Sequence, residues 1–224
     1  MTTSFFSYAG TAARKQAAST TALLTCGAIA GPLFVGSVLI QAATREGFDP
    51  VKHPLSMLSL SELGWMQITN FILSGLLVLA GALGLSRVLT TGIGSTWGPR
   101  LFAAYGFGLI AGGVFVVDPG FGYPIGTPDE APASLTWHGA LHAVAPVLAA
   151  LALIAATIVF ARRFRQEGRT TWFAATIAIP TVYLILSAIT FAASDFRWML
   201  TGGSLIWLWA SAVMALPLFT RRPR

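Results

Sequence analysis

Six runs of apolar residues, each long enough to cross a bilayer, decide most of what this chain can become. A hydrocarbon core needs about 20 apolar residues per helix. The runs fall at about 19–43, 64–86, 99–118, 136–161, 171–194 and 199–219. Backbone N–H and C=O groups in hydrocarbon must be satisfied internally, so only helices or closed barrels can span it. These runs lack the ~10-residue alternating pattern of barrel strands. The expected fold is all-α, a bundle of six transmembrane helices making a single domain over residues 18–220. A flexible cytoplasmic tail is expected at 1–17 and a short basic cytoplasmic tail at 221–224. Arg14 and Lys15 precede an apolar stretch, as in a secretory signal, but the stretch from Ala18 to Ala43 exceeds the roughly 7–15 residues of a signal's apolar region. It reads as a retained first span.

Composition agrees: 55% of the 224 residues are hydrophobic and only 10% are charged, a balance of multispanning membrane proteins rather than soluble domains. The net charge of +6 does not point to nucleic acid, because the basic residues sit in short clusters between apolar runs. With a cytoplasmic N-terminus, Arg14, Lys15, Arg87, Arg100, Arg162, Arg163, Arg165, Arg169, Arg221, Arg222 and Arg224 share one side, against Arg45, Lys52 and Arg197 on the other. That asymmetry satisfies the positive-inside rule and puts both termini in the cytoplasm. Trp65, Trp137 and Trp198 fall at the expected outer edges and Trp97 and Trp172 at the inner ones, as interfacial aromatic belts require. Cys26, the single cysteine, excludes an internal disulfide and reads as a small packing residue.

Small residues four apart, Gly27/Gly31 and Gly108/Gly112, allow close approach of helix backbones and read as packing contacts. Pro32, Pro146, Pro180 and Pro217 interrupt four of the runs. Each removes a helical hydrogen bond, and at Pro146 the carbonyl so released belongs to His142. No repeat relates the first three spans to the last three, which weakens a transporter reading.

Ionisable groups gather at one place. His53 lies in the outer loop after the first span, Asp118 ends the third before Pro119, and His138 and His142 open the fourth. Ser56 follows His53 by three residues. Residues i and i+4 share a helix face, so two imidazoles can converge on one ion. A catalytic zinc takes three protein ligands and leaves a fourth position for water. The candidate metal ligands are His53, His138 and His142. Asp118 would orient a histidine or act as base toward the metal-bound water, and Ser56 would position water or a substrate carbonyl. The competing reading is a satisfied polar cluster without chemistry. A bis-histidine haem suits the pattern less, because two histidines on one helical face cannot ligate opposite sides of one iron. The 119–135 loop lacks periodicity, as lids and binding loops often do, and its Asp129 and Glu130 read as solvated.

The run HPLSMLSLSELGWMQITNFILSG, an aspartate at the end of the third span and then HGALH resemble the bacterial six-helix membrane family called domain of unknown function 998, over about residues 20–220. The resemblance marks His53, Pro54, Ser56, Asp118, His138, Gly139 and His142 as motif positions. Met57 stands where the family pattern has an aspartate. The chain is more loosely similar to the alkaline ceramidase and adiponectin-receptor-like membrane hydrolases, which arrange a serine, an aspartate and three histidines around zinc in seven helices. These resemblances imply a multi-pass protein of a bacterial plasma membrane. The leading expectation is an outward-facing, zinc-dependent hydrolase of a lipid-like amide or ester entering from the outer leaflet. The alternative is a non-enzymatic membrane protein that binds lipid or a partner protein, its polar cluster structural. A third class, a small redox or transport component, has no dedicated signature.

Overall fold

The computed structural model describes residues 3–220. It contains α1 (Thr3–Thr44), α2 (Gly64–Val88), α3 (Trp97–Val114), α4 (Trp137–Gln166), α5 (Thr170–Ala193) and α6 (Phe196–Thr220), with one short 3-10 turn at Leu55–Ser59. Residues 3–17, expected as a tail, are part of α1. The basic tail expected at 221–224 lies outside the described residues. Five helices are long and apolar enough to cross a membrane, and the chain is a multi-pass membrane protein.

The exception is α3, which has 18 residues. Arg100 and the glycines at 98, 106, 108, 112 and 113 dilute its apolar content. It also stops at Val114, four residues before the expected end of the third span. Phe115 has already left helical geometry, at φ −96 and ψ 105. Two β-branched valines and a pre-proline aspartate follow, all of which disfavour continued helix. Asp118 therefore belongs to the loop.

The helices form a ring, each packed on its neighbours in chain order and α6 closing on α1. Lipid tails are as apolar as leucine, so such contacts rest on close approach and on polar bonds between helices. At the α1–α2 seam, a Cβ added to Gly81 would meet the Gly27 backbone and Met214 Sδ well inside van der Waals range. Gly108 faces Ala149 of α4 as tightly, whereas Gly112 has ordinary contact space against Phe71. At the α6–α1 seam the Ser211 hydroxyl donates to Gly27 O (2.9 Å) and accepts from Gly31 N–H (2.7 Å). It thus stands between a donor and an acceptor that a regular helix would pair directly. Trp209 Nε1 donates to Thr176 Oγ1 at 3.0 Å and ties α6 to α5.

A buried polar ladder joins α1 to α2. Gln41 Nε2 donates to Gln67 Oε1 (2.9 Å), and Asn70 Nδ2 donates to Gln67 Oε1 and to Phe34 O (both 3.2 Å). Gln67 Nε2 is the one buried side-chain polar atom without a partner among the described residues. Loops 45–63, 115–136 and 194–195 cap one end of the ring, the histidine end. The opposite, terminal end carries the loops 89–96 and 167–169.

Gly81→Val should cost roughly 1–3 kcal/mol through overpacking at a seam with no room to yield, read as a lowered Tm in detergent. Gly112→Ala should leave Tm nearly unchanged.

Candidate functional site

The loop after α1 folds back over the ring because Arg45 holds it there. Its guanidinium, buried with the residue only 8% exposed, donates to Leu58 O and Ser61 Oγ (both 3.2 Å) and to Gln41 Oε1 (2.8 Å). All of these acceptors are neutral, so the cation is satisfied by dipoles rather than by an acid. Further along, Val51 O accepts from Phe196 N–H at 2.9 Å, which fixes the start of α6 to the same loop. Asp195 beside it binds Arg197 through the guanidinium (2.7 Å) and the backbone N–H (3.0 Å). The Arg197 hydrogen bond holds the Asp195 carboxyl below its usual range.

His53 is a peg between two loops. Its Nδ1 accepts from Asp49 N–H (2.9 Å), and its Nε2–H donates to Phe121 O (2.8 Å). The Phe48 and Tyr123 rings flank it, with centroids 5.5 and 5.3 Å away. Both ring nitrogens are thus engaged by backbone. Tyr123 is fully buried. Backbone bonds from Phe121 N–H to Glu130 O and from Gly122 N–H to Pro128 O, both 2.9 Å, fold the 119–135 segment on itself. Asp129 and Glu130 are exposed, as expected, and Asp129 lies 3.6 Å from Lys52.

Asp118 serves the start of α4. Its carboxylate accepts from Thr136 N–H (2.8 Å) and from the Thr136 hydroxyl (2.6 Å), and Thr136 Oγ1 accepts from Gly139 N–H (3.1 Å). This is an N-cap with a carboxylate behind it, placed where the helix dipole is positive. Gly139 is required because a Cβ there would run into the Asp118 carboxylate.

The two histidines of HGALH part company. His138 is exposed and lies against the Trp137 ring, with centroids 3.5 Å apart. His142 is buried, and its Nδ1–H donates to Phe115 O at 2.6 Å. A carbonyl can only accept, so Nδ1 carries the proton and Nε2 is left as an acceptor. Among the described residues, no three His, Cys, Asp or Glu side chains come together as a group that could hold a metal ion. His53, with both nitrogens engaged, and His138, stacked at the surface, do not fit the zinc-ligand roles expected of them.

Three of the five expected residues do share a site. His53, Ser56 and His142 line a cavity of about 260 Å³ inside the ring. The rest of its wall is largely apolar, with Phe71, Leu109 and Ile206 among the contributors, and loop 45–63 forms its roof. Tyr105 and Tyr183 were not anticipated, and they add two phenols to this wall. Their signal was available, since tyrosines inside apolar runs, away from the interfaces, tend to place a hydroxyl against something polar. Pro146 lines the cavity and is also exposed, so at that point a single residue of α4 stands between the cavity and the outside of the bundle. Trp207 lies edge-on to Phe34 at 4.8 Å and also lines the cavity.

The model of the family described as Protein of unknown function (DUF998) matches residues 28–220. No curated protein and no solved structure matches the chain, and the looser similarity to the ceramidase-like hydrolases gains no support.

Asp118→Asn should cost about 1–2 kcal/mol through the weakened cap. His138→Ala should stay within about 0.5 kcal/mol of wild type. Tm in detergent and hydrogen exchange over the first turn of α4 would separate the two. Because the folded Asp195 carboxyl titrates below its unfolded value, its contribution is fully present above about pH 4 and is lost as pH falls through the lowered value. Asp195→Asn should therefore flatten the acid limb of a Tm-against-pH profile and leave its neutral limb with the same slope.

Proposed function

The chain belongs to the DUF998 family of proteins of unknown function, and from its cavity we propose that it is a membrane protein that binds a lipid-like molecule within its helical ring. The observation that carries this reading is the largely apolar cavity, whose wall at Pro146 of α4 is one exposed residue thick. A thin wall beside a helix-interrupting proline is where a ligand would enter sideways from the bilayer. The wall suits a hydrocarbon chain. The few polar groups, His142 Nε2, the Ser56 hydroxyl and the phenols of Tyr105 and Tyr183, suit one polar end, as in pockets that fix orientation with a few polar contacts. His142 Nε2, an acceptor, favours a ligand bearing a hydroxyl or N–H donor. With both termini cytoplasmic, the orientation that the arginine asymmetry supports, the histidine end faces outward and the ligand enters from the outer leaflet. The cell membrane of a bacterium is the setting this implies.

A hydrolytic reading keeps one specific support: Ser56 and His142 line the same cavity, a hydroxyl and an imidazole whose Nε2 is free to accept its proton. A metal-assisted form has no such support, since no three His, Cys, Asp or Glu side chains group together among the described residues.

The binding reading is tested with a brominated long-chain alcohol, which quenches tryptophan on contact. Quenching should saturate in the wild type, lose its main component in Trp207→Phe, and weaken roughly tenfold in Ala150→Phe, which fills the cavity wall. Undiminished quenching in both variants would refute the cavity as the binding site. Release of acid from the matching ester by wild type, abolished in Ser56→Ala, would assign hydrolysis instead.

A further inference from the structure

A second concavity, of about 480 Å³, opens at the terminal end of the ring. Its floor is apolar, with Leu85 and Val88 of α2, Phe160 and Phe164 of α4, and Val213 and Leu216 of α6. Its rim carries Arg87, Arg163 and Arg169 against one acid, Glu167. Three guanidinium groups and one carboxylate leave an excess of two positive charges.

The three arginines are not equally committed. Arg163 Nε is 2.7 Å from Glu167 Oε1, and its Nη1 donates to Ile93 O at 3.0 Å. Arg169 lies 3.7 Å from the other Glu167 oxygen, with its guanidinium over the Phe164 ring at 5.8 Å. Arg87 is exposed, and its one side-chain bond among the described residues is from Nη1 to Ser19 Oγ at 2.8 Å. Nε and Nη2 of both Arg87 and Arg169 make no hydrogen bond there. Two forked donors with spare N–H groups therefore line the same hollow.

A role in membrane topology accounts for the number of arginines on this face. It does not account for a concavity lined by two guanidinium groups with unbonded N–H groups over side chains that are themselves packed away. Guanidinium forks around such a hollow match an anionic group, and the planar fork fits phosphate oxygens two at a time. We propose that this groove binds a phosphate group of net negative charge, held chiefly by Arg87 and Arg169, with Arg163 locked in place by Glu167. The site is separate from the cavity at the histidine end and does not depend on what that cavity binds.

Purified protein in a neutral detergent is titrated with phosphatidylglycerol, phosphatidylcholine and inorganic phosphate, reading Tm and lipid retention by native mass spectrometry. Wild type should retain phosphatidylglycerol over phosphatidylcholine. Arg87→Gln combined with Arg169→Gln should weaken that retention at least roughly tenfold, while Arg100→Gln, which removes a charge stacked on Trp97 outside the groove, should change nothing. Arg87→Gln alone breaks no ion pair and should weaken retention partly, so a folding defect in the double variant leaves the site testable. Protection by phosphatidylglycerol that inorganic phosphate does not displace identifies a lipid headgroup. Arginine-dependent protection by inorganic phosphate alone identifies a soluble phosphate. Equal retention of the two lipids, or phosphatidylglycerol retention unchanged in the arginine variants, overturns the site.

Discussion

Helices immersed in hydrocarbon gain almost nothing by hiding apolar side chains from one another, so this ring holds together by contact distance and by polar bonds. The α1–α2 seam is the clearest case. Gly27 and Gly81 bring two backbones together at a spacing no side chain would permit, and further along the Gln41–Gln67–Asn70 ladder fixes the register of the same pair. In lipid an unmade hydrogen bond has no water to fall back on, so a slip of either helix would strand several amide groups at once. With that pair fixed, the remaining helices close around it and leave space in the middle.

Small residues such as Gly108, Ala149 and Gly203 share the cavity wall with aromatics such as Phe71, Tyr105 and Trp207, and the histidine end is roofed by a loop rather than by another helix. Arg45, His53 and Asp118 all act on that roof or its edge. Arg45 draws the loop down through carbonyl oxygens, His53 pins the 119–135 segment to it, and Asp118 fixes where α4 begins. Of the groups that looked like chemistry from their residue type, His53 is held by backbone through both nitrogens, Asp118 by Thr136, and His142 through Nδ1 alone, while His138 is exposed. His142 alone is buried, touches the cavity and keeps an acceptor in hand.

Much of the architecture was legible in the residues. Apolar length set α2, α4, α5 and α6 within about five residues and the end, but not the beginning, of α1, and Gly27, Gly31 and Gly108 pack closely as read, whereas Gly112 has room. The third run misled because its composition is diluted by glycine and its end is decided by Val116, Val117 and Pro119 rather than by hydropathy. The histidine site was half legible. Spacing of four puts His138 and His142 near one face, but it cannot say that Trp137 will stack on one and that the Phe115 carbonyl will capture the other. Nor can it reveal that both nitrogens of His53 meet main-chain groups, since those partners come from loops whose path no local pattern encodes. Gln41, Gln67 and Asn70 did carry a signal, as amides inside apolar runs, and so did Tyr105 and Tyr183.

The Ser211 hydroxyl lodged in the backbone of α1 bears on how the chain is made. The first helix leaves the ribosome long before the sixth, and during that interval its Gly27–Gly31 turn can close on itself, as any helix does. Completing the ring then brings the Ser211 hydroxyl of α6 onto that turn's donor and acceptor. A later helix therefore completes the bonding of an earlier one, and a chain truncated ahead of α6 would leave Gly27 O and Gly31 N–H without their partner from α6.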